Sequence, residues 1–179
     1  MGLQLIFVVE TNKKNQSDWI YIKETINRFF NYDQAHVKLK PVYMNGKGNY
    51  RSKKKEIETL VSEYKSSSKD NISHVVMCLD CDDYDSNAED KEFLDNAKKY
   101  CDERSWDLIW FYKDVEQVYW EKKVSDIDKK AEAAKYKAKK MIDKINRAKL
   151  ESNTYKKNTS NILAVMRKYL EEKENETLC

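Results

Sequence analysis

Leu3 to Val9 reads LQLIFVV, a nearly continuous run of apolar, β-branched and aromatic residues. Such a run is the pattern of a strand covered on both faces of a parallel sheet. Val75 to Leu79 (VVMCL) and Leu108 to Tyr112 (LIWFY) predict two more buried strands. Val37 to Met44 (VKLKPVYM) alternates at first and contains Pro41, so it predicts a peripheral strand. Between these runs the apolar spacing turns helical. Ser17 offers a cap to a helix carrying Trp19, Ile22, Ile26 and Phe29 or Phe30, and Ser52 offers one to a helix carrying Ile57, Leu60, Val61 and Tyr64. Asn87 does the same for a helix with Phe93, Ala97, Tyr100, Cys101 and Arg104 on one side. The order β-α-β-α-β-α-β predicts an α/β fold in which right-handed crossovers bring the carboxyl ends of the strands to one edge. Ligands of open α/β sheets bind at that edge, and Glu10 and Asp80 end the first and third strands.

Beyond Trp120 the pattern changes. Ile127, Ala131, Ala134, Ala138, Met141, Ile145 and Ala148 alternate spacings of four and three, which predicts a long helix with a narrow apolar seam. Asn158 to Ser160 offers a cap for a last helix with Ile162, Val165, Met166, Tyr169 and Leu170 on its apolar side. Residues 1–120 thus read as the α/β domain and 121–179 as a C-terminal helical hairpin, packed on that domain or, through its small Ala residues, on a second copy as a homodimer seam.

Composition narrows the function. The 179 residues include only 3 Gly and 1 Pro, and neither GxxxxGK[ST] nor GxGxxG occurs, so a glycine-rich nucleotide loop and a turn-rich β-sandwich are both disfavoured. No run approaches the length needed to span a bilayer and no signal peptide is visible, so a soluble cytoplasmic protein with no membrane partner is expected. Cys78 and Cys81 form a CxxC without a second pair, which reads as buried thiols rather than a zinc site. The net charge of +3 hides an asymmetry: residues 1–120 carry 18 Lys/Arg against 21 Asp/Glu, and residues 121–179 carry 16 against 10. Asp80 to Asp95 holds eight acids and one Lys.

Asp80-x-Asp82 places two hard oxygen donors on the turn after a buried strand, where Mg²⁺ or Mn²⁺ would be held by one or two carboxylates and its own waters. The bland alternative is a solvated acidic loop. Glu10 sits where a catalytic group would be presented, its bland alternative being a loop carboxylate paired with Lys13 or Lys47; either lysine could neutralise a phosphate, although each alone is more often an ordinary surface residue. Lys135, Lys139 and Lys140, with their basic neighbours, could track a nucleic-acid backbone or simply solvate a helix.

Together VVET at 8–11, GKGN at 46–49, VVMCLDCDD at 75–83, LIWFY at 108–112 and Val115 to Trp120 resemble the TOPRIM-fold proteins of the RloB-like group, over roughly residues 3–120 in order and spacing. The resemblance implies a TOPRIM-like sheet of about four mostly parallel strands flanked by helices, and metal-dependent phosphodiester chemistry on DNA or RNA. Carried over, Glu10 becomes the general acid or base, Asp80 and Asp82 hold Mg²⁺, and Glu116 matches the acid of the segment after the fourth strand, so that Glu10 and Glu116 complete the implied set of metal ligands. The resemblance further implies a nuclease of a bacterial or phage defence or mobile-element system, with an ATPase as partner. The rival reading is a non-catalytic module that binds nucleic acid or a partner protein.

Overall fold

The structure, a computed structural model, describes residues 2–174. In chain order the elements are β1 (Leu3–Val9), α1 (Ser17–Phe29), β2 (Phe30–Asn31), β3 (Val37–Tyr43), α2 (Lys54–Ser67), β4 (Ile72–Asp80), α3 (Ala88–Asp102), β5 (Asp107–Tyr112), α4 (Val115–Trp120), α5 (Lys129–Ala138), β6 (Thr159–Ser160), α6 (Ile162–Met166) and β7 (Glu171–Glu172). The central sheet has the order β3-β1-β4-β5-β6. Its first four strands are parallel, and the short β6 runs antiparallel to β5. The four apolar runs are therefore the strands expected, and β3, with Pro41, is indeed at the edge. No helix among the described residues is long and apolar enough to cross a membrane.

Alternate residues of each strand face opposite sides of the sheet. Leu5, Phe7 and Val9 of β1 join Val76, Cys78, Ile109 and Phe111 on one face, under Tyr21, Ile22 and Ile26 of α1. Ile6 and Val8 join Val75, Met77, Leu79, Trp110 and Tyr112 on the other, where Ile57 of α2 and Leu94, Ala97 and Cys101 of α3 cover them. Burial on both faces is why these segments read as unbroken apolar runs.

Asn87 caps α3 as expected, its side chain accepting the N–H groups of Glu89 and Asp90. The two serine caps are not formed. Gln16, in the left-handed conformation at φ 57°, precedes α1, and the Ser17 hydroxyl donates to Asp18 instead. Ser52 lies in a 3-10 turn and donates to the Asn49 carbonyl at 2.7 Å.

The tail departs most from expectation. In place of one long helix ending in a hairpin, residues 129–138 form α5 and two 3-10 turns follow at Met141–Lys144 and Arg147–Leu150. The last helix is present as the short α6; Asn161 takes its cap position, and Ser160, the last residue of β6, accepts the Ile162 N–H at 3.2 Å through its hydroxyl oxygen. The Ala seam faces outward: Ala131, Ala134 and Ala138 are exposed, and Ile127 is 93% exposed. The buried face of α5 is Ala133 and Tyr136. Tyr136 meets Tyr21, Tyr119 and Trp120 edge-on at centroid distances of 5.1, 5.6 and 5.4 Å. One buried aromatic ring removes more apolar area from water than several methyl groups, so it decides the face. Ile142, Leu150, Ile162, Leu163, Val165 and Met166 then complete the cover of the face shared with Phe7 and Phe111.

The join between tail and sheet depends on Asn161, which accepts the Trp110 N–H and donates to the Leu108 carbonyl, both at 2.9 Å. It satisfies the backbone of β5 just where β6 stops pairing. Asn161→Ala leaves both groups without that partner and is predicted to lower stability by about 1–3 kcal/mol in urea unfolding. A midpoint equal to that of the parent chain would contradict this role.

Candidate active site

Parallel β1, β4 and β5 deliver their carboxyl ends to one edge, and the acids there are locked to the backbone rather than to each other. Glu10 is the first residue after β1, and its Oε1 accepts the Asp80 N–H at 2.7 Å. Asp80, the last residue of β4, turns its Oδ1 to the N–H of Val115 at 2.9 Å. Two segments 70 residues apart in sequence thus meet at the sheet edge. Asp82 occupies the left-handed region at φ 48°, a conformation that Asp tolerates better than most residues. Its N–H donates to the Lys113 carbonyl at 2.8 Å, so the turn after β4 remains zipped to the end of β5.

The other side of the edge is set by a single glycine. Gly46 takes φ 113°, closed to residues with a side chain, and donates its N–H to the Glu10 carbonyl at 2.9 Å. That turn carries Lys47, whose ammonium pairs with Asp82 and, at 2.8 Å, with Asp90 while lying 5.0 Å from the Phe93 ring centroid.

Glu116, in α4, is wholly buried, and neither carboxylate oxygen has a hydrogen-bond partner; the Lys129 ammonium stands 3.5 Å from it. Asp18, also buried, accepts the Thr11 N–H at 3.0 Å. Glu10, Asp18, Asp80 and Glu116 share one low-dielectric region, and each is pushed toward its protonated form. Burial is the largest cause for Glu10, which rises to about 8; the Asp80 N–H opposes it, Asp18 and Asp82 add to it, and Lys47 opposes it. Burial raises Asp80 well above the usual carboxylate range, with Glu10, Asp18 and Glu116 adding to the effect. Burial also raises Glu116 to about 7, against the pull of Lys129.

A cleft of about 510 Å³ opens over this edge. Asp80, Asp82, Asp83 and Asp114 line it together with Lys113, Lys123, Lys129 and Lys157. Lys113 pairs with Asp83, and Lys129 pairs with Glu116 and Asp126. Of the positions singled out in the sequence, Asp80 and Asp82 line this cleft, while Glu10, Lys47 and Glu116 lie behind it, in contact with Asp80, Asp82 and Lys129 respectively. Lys13 is exposed on the loop between β1 and α1. Lys135 pairs with Glu132 at 3.1 Å and lies over the Trp120 ring. Lys139 and Lys140 stand about 15 Å along α5 from Lys129, beyond the point where Lys137 meets Glu24 of α1. The residues missed were Asp18, Lys113, Asp114, Lys123, Lys129 and Lys157. Only Asp18 carried a signal, as an acid in the first turn of the helix entered directly from β1.

Carboxylate oxygens suit a hard cation such as Mg²⁺. Glu10 and Asp80 each keep a second oxygen free of hydrogen bonds among the described residues, and a positive charge there would relieve the crowding that raises their proton affinity. Among the described residues no three His, Cys, Asp or Glu side chains form a ready-made cage. Mg²⁺ is commonly held by one or two carboxylates and retained waters instead, so the donor set fits. The thiols do not contribute: Cys78, Cys81 and Cys101 are buried and unpaired, and burial raises all three. Cys179 lies outside the described residues. Comparison of the chain with protein-family models, with curated proteins and with solved structures finds no match.

The raised carboxylates make a stability prediction for the metal-free chain. Glu116 binds its proton up to about 7 when folded but ionises at 4.5 when unfolded, so folding takes up a proton between those values. The stability it contributes is complete below 4.5 and is lost as pH rises through about 7. Urea midpoints measured in EDTA across this range should therefore fall more steeply with pH for the parent chain than for Glu116→Gln. Parallel curves for the two would contradict the assignment.

Proposed function

We propose that the chain is a TOPRIM-like, Mg²⁺- or Mn²⁺-dependent nuclease or related phosphodiester-processing enzyme of a bacterial or phage defence or mobile-element system. In this reading it acts in the cytoplasm on DNA or RNA beside an ATPase partner. The observation that carries it is that Glu10 is bonded to Asp80, which itself lines a cleft shared by other acids and four lysines. Acids and cations side by side suit a phosphodiester, whose backbone carries charge that lysines neutralise and whose reaction a carboxylate-held cation assists.

In this reading Asp80 and Asp82 would hold the cation, Asp80 through the oxygen not committed to Val115. When bound, that ion supplies charge that polarises a phosphate oxygen and acidifies a water. Glu10, fixed through Oε1 by the Asp80 N–H, keeps Oε2 free of hydrogen bonds among the described residues and would accept a proton from an attacking water. Glu116 sits deeper and sets the local field with Lys129.

One observation favours a second reading, that of a non-catalytic module for nucleic acid or a protein partner. Lys47 already neutralises Asp82 and Asp90, and Lys129 already neutralises Glu116. An acidic edge with its own counter-charges can be structural.

Cleavage assays on DNA and RNA with Mg²⁺ and Mn²⁺ distinguish the two. Glu10→Ala and Asp82→Ala are each expected to lower metal-dependent cleavage by roughly 100-fold or more, with circular dichroism unchanged. Full activity in either variant would remove the catalytic assignment. Metal binding by calorimetry without cleavage by the parent chain would favour the second reading.

A further inference from the structure

Lys123 and Lys157 line the cleft from two separate stretches of the tail. Both are exposed, and neither forms an ion pair among the described residues, although Asp80, Asp82 and Asp126 line the same cleft. Lys113 and Lys129, by contrast, are committed to Asp83 and Glu116. Two unpaired ammonium groups beside an acidic floor leave cationic capacity for an incoming anion.

Two aromatic residues neighbour the cleft's lining residues along the chain, their rings packed against the sheet face of Trp110 and Tyr112. Tyr84 follows the cleft residue Asp83, and Tyr155 lies two positions before Lys157. Both are half-buried, with ring centroids 4.9 Å apart. Tyr155 is in turn held edge-on by buried Trp110 at 4.7 Å and stacks on Tyr112 at 6.5 Å, so the pair rests on the rigid end of β5. Fixed rings next to free lysines are the two components of single-strand recognition: bases stack on the rings and phosphates meet the cations. A duplex offers no unstacked base to such a ring, and a cleft of about 510 Å³ has the size of a small-ligand pocket.

We infer that the cleft takes single-stranded nucleic acid, with Lys123 and Lys157 holding phosphates and the Tyr84–Tyr155 pair stacking a flanking base. This deepens the phosphodiester reading and rests on it for the cleft's ligand class. It moves the nucleic-acid contact of the tail away from Lys135, Lys139 and Lys140 and onto its two loops.

Fluorescence anisotropy of the full chain in EDTA, with labelled oligothymidylate, oligouridylate and a hairpin duplex, tests binding apart from cleavage. One or both single strands should bind more tightly than the hairpin, and the preferred strand identifies DNA or RNA. Tyr84→Leu should weaken single-strand binding about fivefold or more while Tyr84→Phe retains it. The Lys123→Ala/Lys157→Ala double variant should weaken binding and lower the log–log salt slope by roughly 1 to 2. The Lys139→Ala/Lys140→Ala pair should leave binding as it is. Tighter hairpin binding, no binding of either single strand, or loss of binding only in the Lys139→Ala/Lys140→Ala pair would overturn the inference. Those results would leave a duplex nuclease standing, whereas single-strand binding without metal-dependent cleavage would fail the enzymatic reading alone.

Discussion

Parallel pairing of β1 with β3 on one side and β4 on the other fixes where the acids that end those strands can lie. Because the strands run the same way, the residue after β1 and the residue ending β4 emerge side by side, and the Glu10 carboxylate closes the gap by accepting the Asp80 N–H. Asp80 makes the next link, to Val115 at the head of α4. The acids are thus held by backbone amides, which fixes their positions while leaving one oxygen of each unused. A carboxylate held by a main-chain donor is oriented even when its charge is poorly solvated, a useful property where proton affinity is already raised.

The tail serves this edge twice. Ala133, Tyr136, Ile162 and Met166 cover the sheet face that α1 alone would leave open, and the same stretch brings Lys123, Lys129 and Lys157 over the acids. Packing and electrostatics are therefore linked. Displacing α5 would uncover Tyr21 and Tyr119 and would also take Lys129 away from Glu116. A buried carboxylate deprived of its counter-charge is costly, so the acidic centre and the tail support each other.

The sheet was legible because burial on both faces leaves an unmistakable mark: LQLIFVV, VVMCL and LIWFY could hardly be anything but strands, and Pro41 placed β3 at an edge. Asn87 showed itself as a cap because its side chain is the right length for the two N–H groups ahead of it. The tail was not legible. Counting Ala as equal to Tyr favours the Ala131, Ala134 and Ala138 stripe, yet the aromatic Tyr136 selects the neighbouring face. Asp80 and Asp82 could be read because they directly follow an apolar strand, whereas Asp114 and Asp126, further along the chain, could not. Nor could the lysines of the cleft, since Lys113, Lys123, Lys129 and Lys157 come from four segments that only the folded chain brings together.

The enzymatic reading of this chain turns on whether the sheet edge attracts a divalent cation. Crystals grown with Mn²⁺ and measured for anomalous scattering answer that directly. The account predicts a Mn²⁺ peak within coordination distance of the free oxygen of Asp80 and of Asp82, beside Glu10, and its loss in Asp82→Ala. Anomalous density elsewhere on the chain, with none at this edge, would contradict it.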